Sequence, residues 1–179
     1  MSEVQPHLPG VPPTARPGRS KPAIMRRAAE QLGIEVLALL KDPRAKLDDV
    51  VDDLLKVMGS RTDGYDLAKQ LERQGYDPDA EPVEILDTAD SYVRNAHDDA
   101  VKEWVKAEDI TLDLPLSAVV TTRHGDGPIA SLYPETAKYV VAVTPEQRAS
   151  PGSGYILHAE DVTPVDPQSA EAALEVAHG

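Results

Sequence analysis

Apolar residues recur at three- and four-residue spacing from residue 23 to about residue 107, a period that predicts helices. The first helical segment covers residues 24–40, with Gly33 inside it as a candidate break. Asp42-Pro43 then predicts an N-cap followed by proline in the first helical turn. The helix that this pair opens ends at Gly59 and has the cleanest apolar stripe in the chain, formed by Leu47, Val50, Val51, Leu54, Leu55 and Met58.

Two further helices follow in the same part of the chain. One is expected over residues 65–74 and is stopped by Gly75. The other starts at Glu81 or Pro82, with Asp79 as its cap, and extends to Ala107. We therefore expect residues 23–112 to form a helical region of about four helices, arranged as a small bundle or as a helical layer.

Beyond Leu114-Pro115 the hydrophobic period changes to two, which predicts short strands. His124-Gly125-Asp126-Gly127 is a tight turn, because its glycines tolerate positive φ. Thr144–Ser153 is rich in Pro, Gly and Ser and is interpreted as a loop, and Ala159-Glu160-Asp161 as a single turn. The five predicted strands cover residues 118–123, 129–133, 139–143, 155–158 and 162–165.

Five short strands with a one-turn element before the last one resemble an SH3-like small β barrel. The resemblance rests on the turn at residues 124–127, on the strand Tyr139–Val143 and on the ending Gly154–Val162. It implies a small recognition module at residues 115–166 and no particular ligand. The predicted fold class is α+β, with a helical bundle or layer followed by a small antiparallel SH3-like barrel.

The two ends of the chain differ in composition from the rest. Residues 1–22 hold six prolines and carry a charge of +2, from Arg16, Arg19 and Lys21 against Glu3. Such a segment buries too little to offset its ordering entropy, which predicts a disordered tail. The alternative is an extended arm that lies on an acidic surface, either its own or a partner's. Residues 167–179 are interpreted as a tail or a frayed helix.

Charge and composition narrow the classes of partner. The net charge of −13 disfavours contact with nucleic-acid phosphates and with anionic lipid. The chain has no Cys, which excludes disulfides, thiolate metal sites and a cysteine nucleophile. Its apolar runs are all shorter than the roughly 18 residues that cross a bilayer. We expect a cytoplasmic protein that contacts no membrane.

The chemistry-bearing residues form no recognisable catalytic set. His97-Asp98 matches a metal-phosphohydrolase dipeptide, but its neighbouring helices supply no second histidine. His124 with Asp126, and His158 with its acidic neighbours at 160 and 161, could meet as acid and base across a barrel. Since no motif places a nucleophile beside them, we expect no catalytic residue, no metal site and no cofactor. An enzyme of unrecognised type, with a site shared across a homo-oligomer, remains an alternative.

Four aspartates on the second helix suggest another function. Asp48, Asp49, Asp52 and Asp53 are assigned to the face opposite the apolar stripe. A row of carboxylates can imitate a phosphate backbone. The alternative to a solvated face is therefore an acidic decoy that blocks a nucleic-acid-binding protein.

The function that needs the fewest assumptions is that of a non-enzymatic interaction protein, working as an adaptor, an assembly factor or an inhibitor. Its partner would be another protein, or a second copy in a homo-oligomer. The candidate contact residues are Tyr133, Tyr139, Tyr155 and His158 in the β half, because tyrosine offers large contact area at low entropy cost. Tyr139 and Tyr155 have a second interpretation, as fillers of a core that contains no Phe.

Overall fold

Helices occupy the first part of the chain and strands the second in the computed structural model, which describes residues 14–40, 42–58 and 63–165. The α+β fold class is thereby confirmed. Two compact units divide the chain: the helical unit Arg16–Trp104, and the β unit, formed by the described residues of Met1–Ala15 and Val105–Gly179. The predicted tail at 167–179 and the first 13 residues of the predicted N-terminal tail lie outside the described residues.

The first helix, α1 (Pro22–Leu39), starts on a proline and continues through Gly33 without a break. Gly33 favours close packing, because a Cβ there would lie 3.1 Å from Val51 Cγ2 and 3.3 Å from Leu47 Cδ1. Both of these side chains belong to α2 (Leu47–Leu55). The glycine that was a candidate break therefore lets α2 approach α1.

Helix α2 begins four residues later than Asp42-Pro43 predicts. Asp42 Oδ1 accepts a hydrogen bond of 2.8 Å from Arg44 N–H, and the Asp42 carbonyl accepts one of 3.2 Å from Ala45 N–H. These bonds close a tight turn in which aspartate satisfies nearby backbone donors without starting a helix. The predicted N-cap role of Asp42 is wrong for this reason, and Gly59 lies outside the described residues.

Three more helices complete the helical unit: α3 (Gly64–Arg73), α4 (Ala80–Leu86) and α5 (Ala89–Ala107). Gly75 has a φ of +95° after α3, as its predicted role as a helix stop requires. The single helix predicted up to Ala107 is two helices, α4 and α5. Thr88 Oγ1 donates a hydrogen bond of 2.6 Å to the Ile85 carbonyl, which closes the last turn of α4.

One aliphatic core joins the helices of this unit. It holds no Phe, and its largest fully buried side chains come from four of the five helices. These are Leu32, Val36, Val50, Val51, Leu54, Leu67, Leu71 and Leu86, each less than 2% exposed. The apolar stripe predicted for α2 faces this core.

The β unit contains five strands: β1 (Val119–Thr122), β2 (Gly125–Tyr133), β3 (Lys138–Val141), β4 (Tyr155–His158) and β5 (Thr163–Pro164). All pairings are antiparallel, and the strand order is β4-β3-β2-β1-β5. The predicted single turn at Ala159–Asp161 is a 3-10 helix. The core of the β unit contains Val120, Ile129, Tyr139, Val141, Leu157 and Val162.

Within the described residues the sheet is open, with β4 and β5 at its edges, so it does not close into the predicted barrel. Strand β5 is only two residues long, and Val165 N–H after it donates one further hydrogen bond of 3.1 Å to the Val119 carbonyl. The loop predicted at Thr144–Ser153 contains a short helix, α6 (Pro145–Ala149). Thr144 and Gln147 form a reciprocal capping box at its start.

Candidate functional site

Strand alternation separates the four predicted contact residues onto two faces of the sheet. Tyr133 on β2 pairs with Lys138 on β3, and Lys138 pairs with His158 on β4. Directly paired residues point to the same face of a sheet. Tyr133 and His158 therefore share the outer face, whereas Tyr139 and Tyr155 belong to the core face, on which Tyr139 pairs with Leu157.

Tyr139 is part of the core and not a contact residue. Its side chain is 3% exposed, and its hydroxyl accepts a hydrogen bond of 3.3 Å from Leu114 N–H. Burial raises the pKa of Tyr139, and the nearby Asp113 charge adds to the rise. A tyrosine held neutral in this way replaces the Phe that the chain does not contain, as its second interpretation expected.

The outer face carries a group of large side chains, two of them exposed and two half-buried. We call Tyr133, Lys138, Ile156 and His158 the outer patch. Tyr133 is 49% exposed and Ile156 is 62% exposed. His158 Nδ1 lies 3.7 Å from Asp161 Oδ2, so this end of β4 also carries a charged partner. The patch includes two residues of β4, an edge strand of the described sheet.

Val140 limits the outer patch on one side. It pairs with Ile156 on the outer face, yet it is only 2% exposed. A Cβ on Gly154 would lie 2.9 Å from Val140 Cγ1, so the backbone just before β4 passes close to this part of the face. The accessible surface therefore lies at the Tyr133 end and along β4.

Tyr155 lies at the rim of the core face, where it meets the β1–β2 turn. Its ring stacks on His124, with centroids 4.0 Å apart and planes 6° apart. Arg123 Nε donates a hydrogen bond of 3.1 Å to His124 Nε2. Thr122 stabilises the turn, since its Oγ1 accepts from His124 N–H at 3.0 Å and donates to the Gly125 carbonyl at 2.8 Å. Sequence reasoning missed this stacked pair, because 31 residues separate its members.

The four aspartates assigned to one acidic face of α2 do not share one environment. Asp48, Asp49 and Asp52 are exposed, and Asp52 lies 3.5 Å from Arg26 Nη1. Asp53 is 7% exposed and accepts a hydrogen bond of 2.6 Å from Lys56 Nζ. The structure thus corrects the prediction for Asp53. At 100° per residue, Asp53 lies only about 60° from the buried Val50.

The partly buried Tyr76 lies near the same acidic residues. Burial raises the pKa of Tyr76, and the charges of Asp53, Asp49 and Asp42 raise it further. Asp53 therefore lies near a partly buried aromatic residue of its own unit. The exposed acidic row contains three aspartates, not four.

The histidines considered for catalysis are held in separate places. His124 stacks at the start of β4 and His158 lies at its end, about 10 Å away along the strand. His97 Nε2 lies 3.1 Å from the Pro17 carbonyl. Among the described residues, no three His, Cys, Asp or Glu side chains are grouped as a metal ion would require.

No described helix is both long and apolar enough to cross a membrane. Compared with models of protein families, with curated proteins and with solved structures, the chain matches none.

Proposed function

We propose that this protein is a non-enzymatic interaction protein whose β unit binds another protein through the outer patch and the adjacent edge of β4. The observation that carries the proposal is the exposure of Tyr133 and Ile156 on the face of the sheet that they share with Lys138 and His158. Tyrosine is enriched among the few residues that carry most of the binding energy of protein interfaces, and burial of a large aliphatic side chain adds hydrophobic stabilisation.

The edge strand supports the same proposal. Charged side chains and proline usually protect an exposed edge from pairing with another chain. Tyr155, Ile156 and Leu157 of β4 offer neither, whereas the opposite edge carries Pro164. A partner segment that adds to β4 would gain backbone hydrogen bonds and would place its side chains beside Ile156.

We also propose that the β unit is an SH3-like module. The support is the order of its elements: five short antiparallel strands, with a 3-10 turn immediately before β5 and β5 placed beside β1. Small sheets of this kind are commonly recognition modules. The open sheet and the short β5 set the form that such a module takes in this chain.

Site-specific photo-crosslinking in the host cell tests the proposed function. A photoreactive phenylalanine at position 133 or 156 is expected to form an adduct with one protein, because both side chains are exposed within the outer patch. Position 65 is the matched control, since Tyr65 is 58% exposed in the helical unit. Alanine at position 133 should then weaken binding of the captured partner by about 1–4 kcal/mol without changing the melting temperature.

Other outcomes would contradict or redirect the proposal. Equal adducts from positions 65 and 133 would contradict the proposal, because crosslinking would then show no preference for the outer patch. An adduct of the chain with itself would mean that a second copy occupies the outer patch. Absence of any adduct from both β-unit positions would remove the support for a contact surface on this face.

A further inference from the structure

Residues 16–21, which we call the N-terminal arm, contact helix α5 of the helical unit at Arg16, Pro17 and Arg19. The Arg16 guanidinium lies 4.9 Å from the centre of the Trp104 ring. The Pro17 carbonyl lies 3.1 Å from His97 Nε2, and Arg19 forms an ion pair with Asp90. We call Asp90, His97 and Trp104 the α5 strip.

The spacing of the strip places its members on one side of the helix. Asp90, His97 and Trp104 are each seven residues apart, which is about two helical turns or 10 Å. The arm runs in the opposite direction to α5, from Trp104 at Arg16 to Asp90 at Arg19. The strip therefore contacts an extended segment at three separate points along α5.

Each member of the strip recognises a different group. The indole face of Trp104 attracts a guanidinium through its ring quadrupole. His97 must donate from Nε2, because the Pro17 carbonyl can only accept. Asp90 accepts from Arg19 Nη2, and its own backbone carbonyl accepts a second hydrogen bond of 3.1 Å from the same nitrogen. Together they select a cation, a carbonyl and a second cation.

The arm has a conformation that suits this surface. Arg16 precedes Pro17, which favours extended backbone at Arg16. Lys21 N–H donates a hydrogen bond of 3.0 Å to the Gly18 carbonyl, so a turn follows the extended part. This turn presents Arg19 to Asp90 and leads into α1 at Pro22.

The contacts that hold the arm on α5 are weak enough for another segment to replace them. The Arg19 and Asp90 side chains are 46% and 68% exposed, and exposed ion pairs are weak. Asp90 also pairs with Arg94 at 3.1 Å, so its carboxylate keeps a cation when the arm departs. A tethered segment competes for its own site at about millimolar effective concentration. A segment of another protein would displace the arm when its concentration divided by its dissociation constant exceeds the same ratio for the tethered arm.

We propose that the α5 strip is a recognition surface for an extended, arginine- and proline-containing segment of a partner protein, and that the N-terminal arm is its intramolecular occupant. This surface belongs to the helical unit and is independent of the outer patch. The charge of such a partner segment complements the acidic chain, whose net charge is −13.

A peptide titration of the full chain tests this proposal. The probe is a labelled, capped peptide with the sequence of residues 14–21, and the variant carries Arg16→Ser and Arg19→Ser to release the arm. We expect the peptide to bind the released variant at least about tenfold more tightly than the wild type, because the tethered competitor is gone. Adding Asp90→Asn should weaken that binding. The exposed Arg26→Ser is the control and should leave peptide affinity at the wild-type value, since Arg26 pairs with Glu30 and Asp52.

Trp104 supplies a second readout, because it is the only tryptophan in the chain. It is 7% exposed with the arm docked. Its emission should shift to longer wavelength in the released variant and return when peptide is added. Equal peptide binding to the wild type and to the released variant would overturn the proposal, as would no binding to the released variant at millimolar peptide. A wild-type dimer that dissociates in the released variant would also overturn it, since a second copy's arm would then be the occupant.

Discussion

Tyr133 and Tyr139 are six residues apart, but the structure gives them opposite roles. Tyr139 is buried on the core face and accepts a hydrogen bond from Leu114 N–H, whereas Tyr133 is 49% exposed at the end of β2. Residue type alone does not separate the two, because both are tyrosines at the ends of predicted strands. Their strand register and the 3-10 turn between them decide which side chain reaches the core.

Substitutions at these two tyrosines should therefore affect different properties. Tyr139→Ala is expected to lower the free energy of unfolding by about 3–5 kcal/mol, because it removes a buried aromatic ring. Tyr139→Phe should cost about 0.5–1.5 kcal/mol by leaving Leu114 N–H without its acceptor. Tyr133→Ala should stay within about 0.5 kcal/mol, as exposed substitutions usually do. Denaturant unfolding followed by circular dichroism measures all three, and a large loss at Tyr133 would mean that it too belongs to a core.

At the scale of elements, close approach of backbones decides how the start of α3 packs against the end of α4. Gly64 at the start of α3 donates a hydrogen bond of 2.6 Å to Asp87 Oδ1, immediately after α4. A Cβ on Gly64 would lie 2.5 Å from the Asp87 backbone nitrogen and 2.6 Å from the Val83 carbonyl oxygen. The start of α3 and the end of α4 therefore fit together only when residue 64 has no side chain.

Gly64→Ala should destabilise this junction by about 1–3 kcal/mol, because backbone atoms would have to move to admit the methyl group. Gly18→Ala is the matched control, since nothing lies within 4 Å of a Cβ at that position. Thermal unfolding of both variants provides the comparison. If Gly64→Ala were as stable as Gly18→Ala, the α3–α4 junction would be looser than described.

At the scale of the whole molecule, the charge distribution separates an interaction protein from an acidic decoy. The exposed acidic row of α2 is reduced to Asp48, Asp49 and Asp52, and Asp52 lies close to Arg26. A decoy would need these carboxylates for partner binding. Recognition through the outer patch would not, because the patch contains the cation Lys138 and no carboxylate.

Replacing Asp48, Asp49 and Asp52 by Asn should leave the affinity for the crosslinked partner within about twofold, with weak dependence on salt. The matched control changes the same number of charges elsewhere, at the exposed Glu72, Asp77 and Glu84. Isothermal titration at two salt concentrations measures the affinities. A large loss confined to the α2 variant, together with steep salt dependence in the wild type, would favour the decoy over the proposed function.

Local sequence patterns were sufficient for elements whose signal lies within a few residues. The α2 stripe, the stop at Gly75, the strand Tyr155–His158 and the single turn before β5 all appear where their patterns predict them. The capping box Thr144-Pro145-Glu146-Gln147 was also legible, and it would have placed α6 inside the predicted loop. Hydrogen bonds in these elements join near neighbours, so a short stretch of sequence contains both partners.

Long-range contacts decided what the sequence by itself left open. Gly33 continues α1 where Val51 and Leu47 of α2 pack against it, and Asp53 lies near Tyr76, whose pKa its charge raises. The outer patch joins three strands, and the His124–Tyr155 stack joins the β1–β2 turn to β4. The α5 strip is occupied by a segment more than 70 residues earlier in the chain. The physical reason is common to all of them: periodicity specifies which face of an element is apolar, whereas the residue that meets that face depends on chain segments far away in sequence.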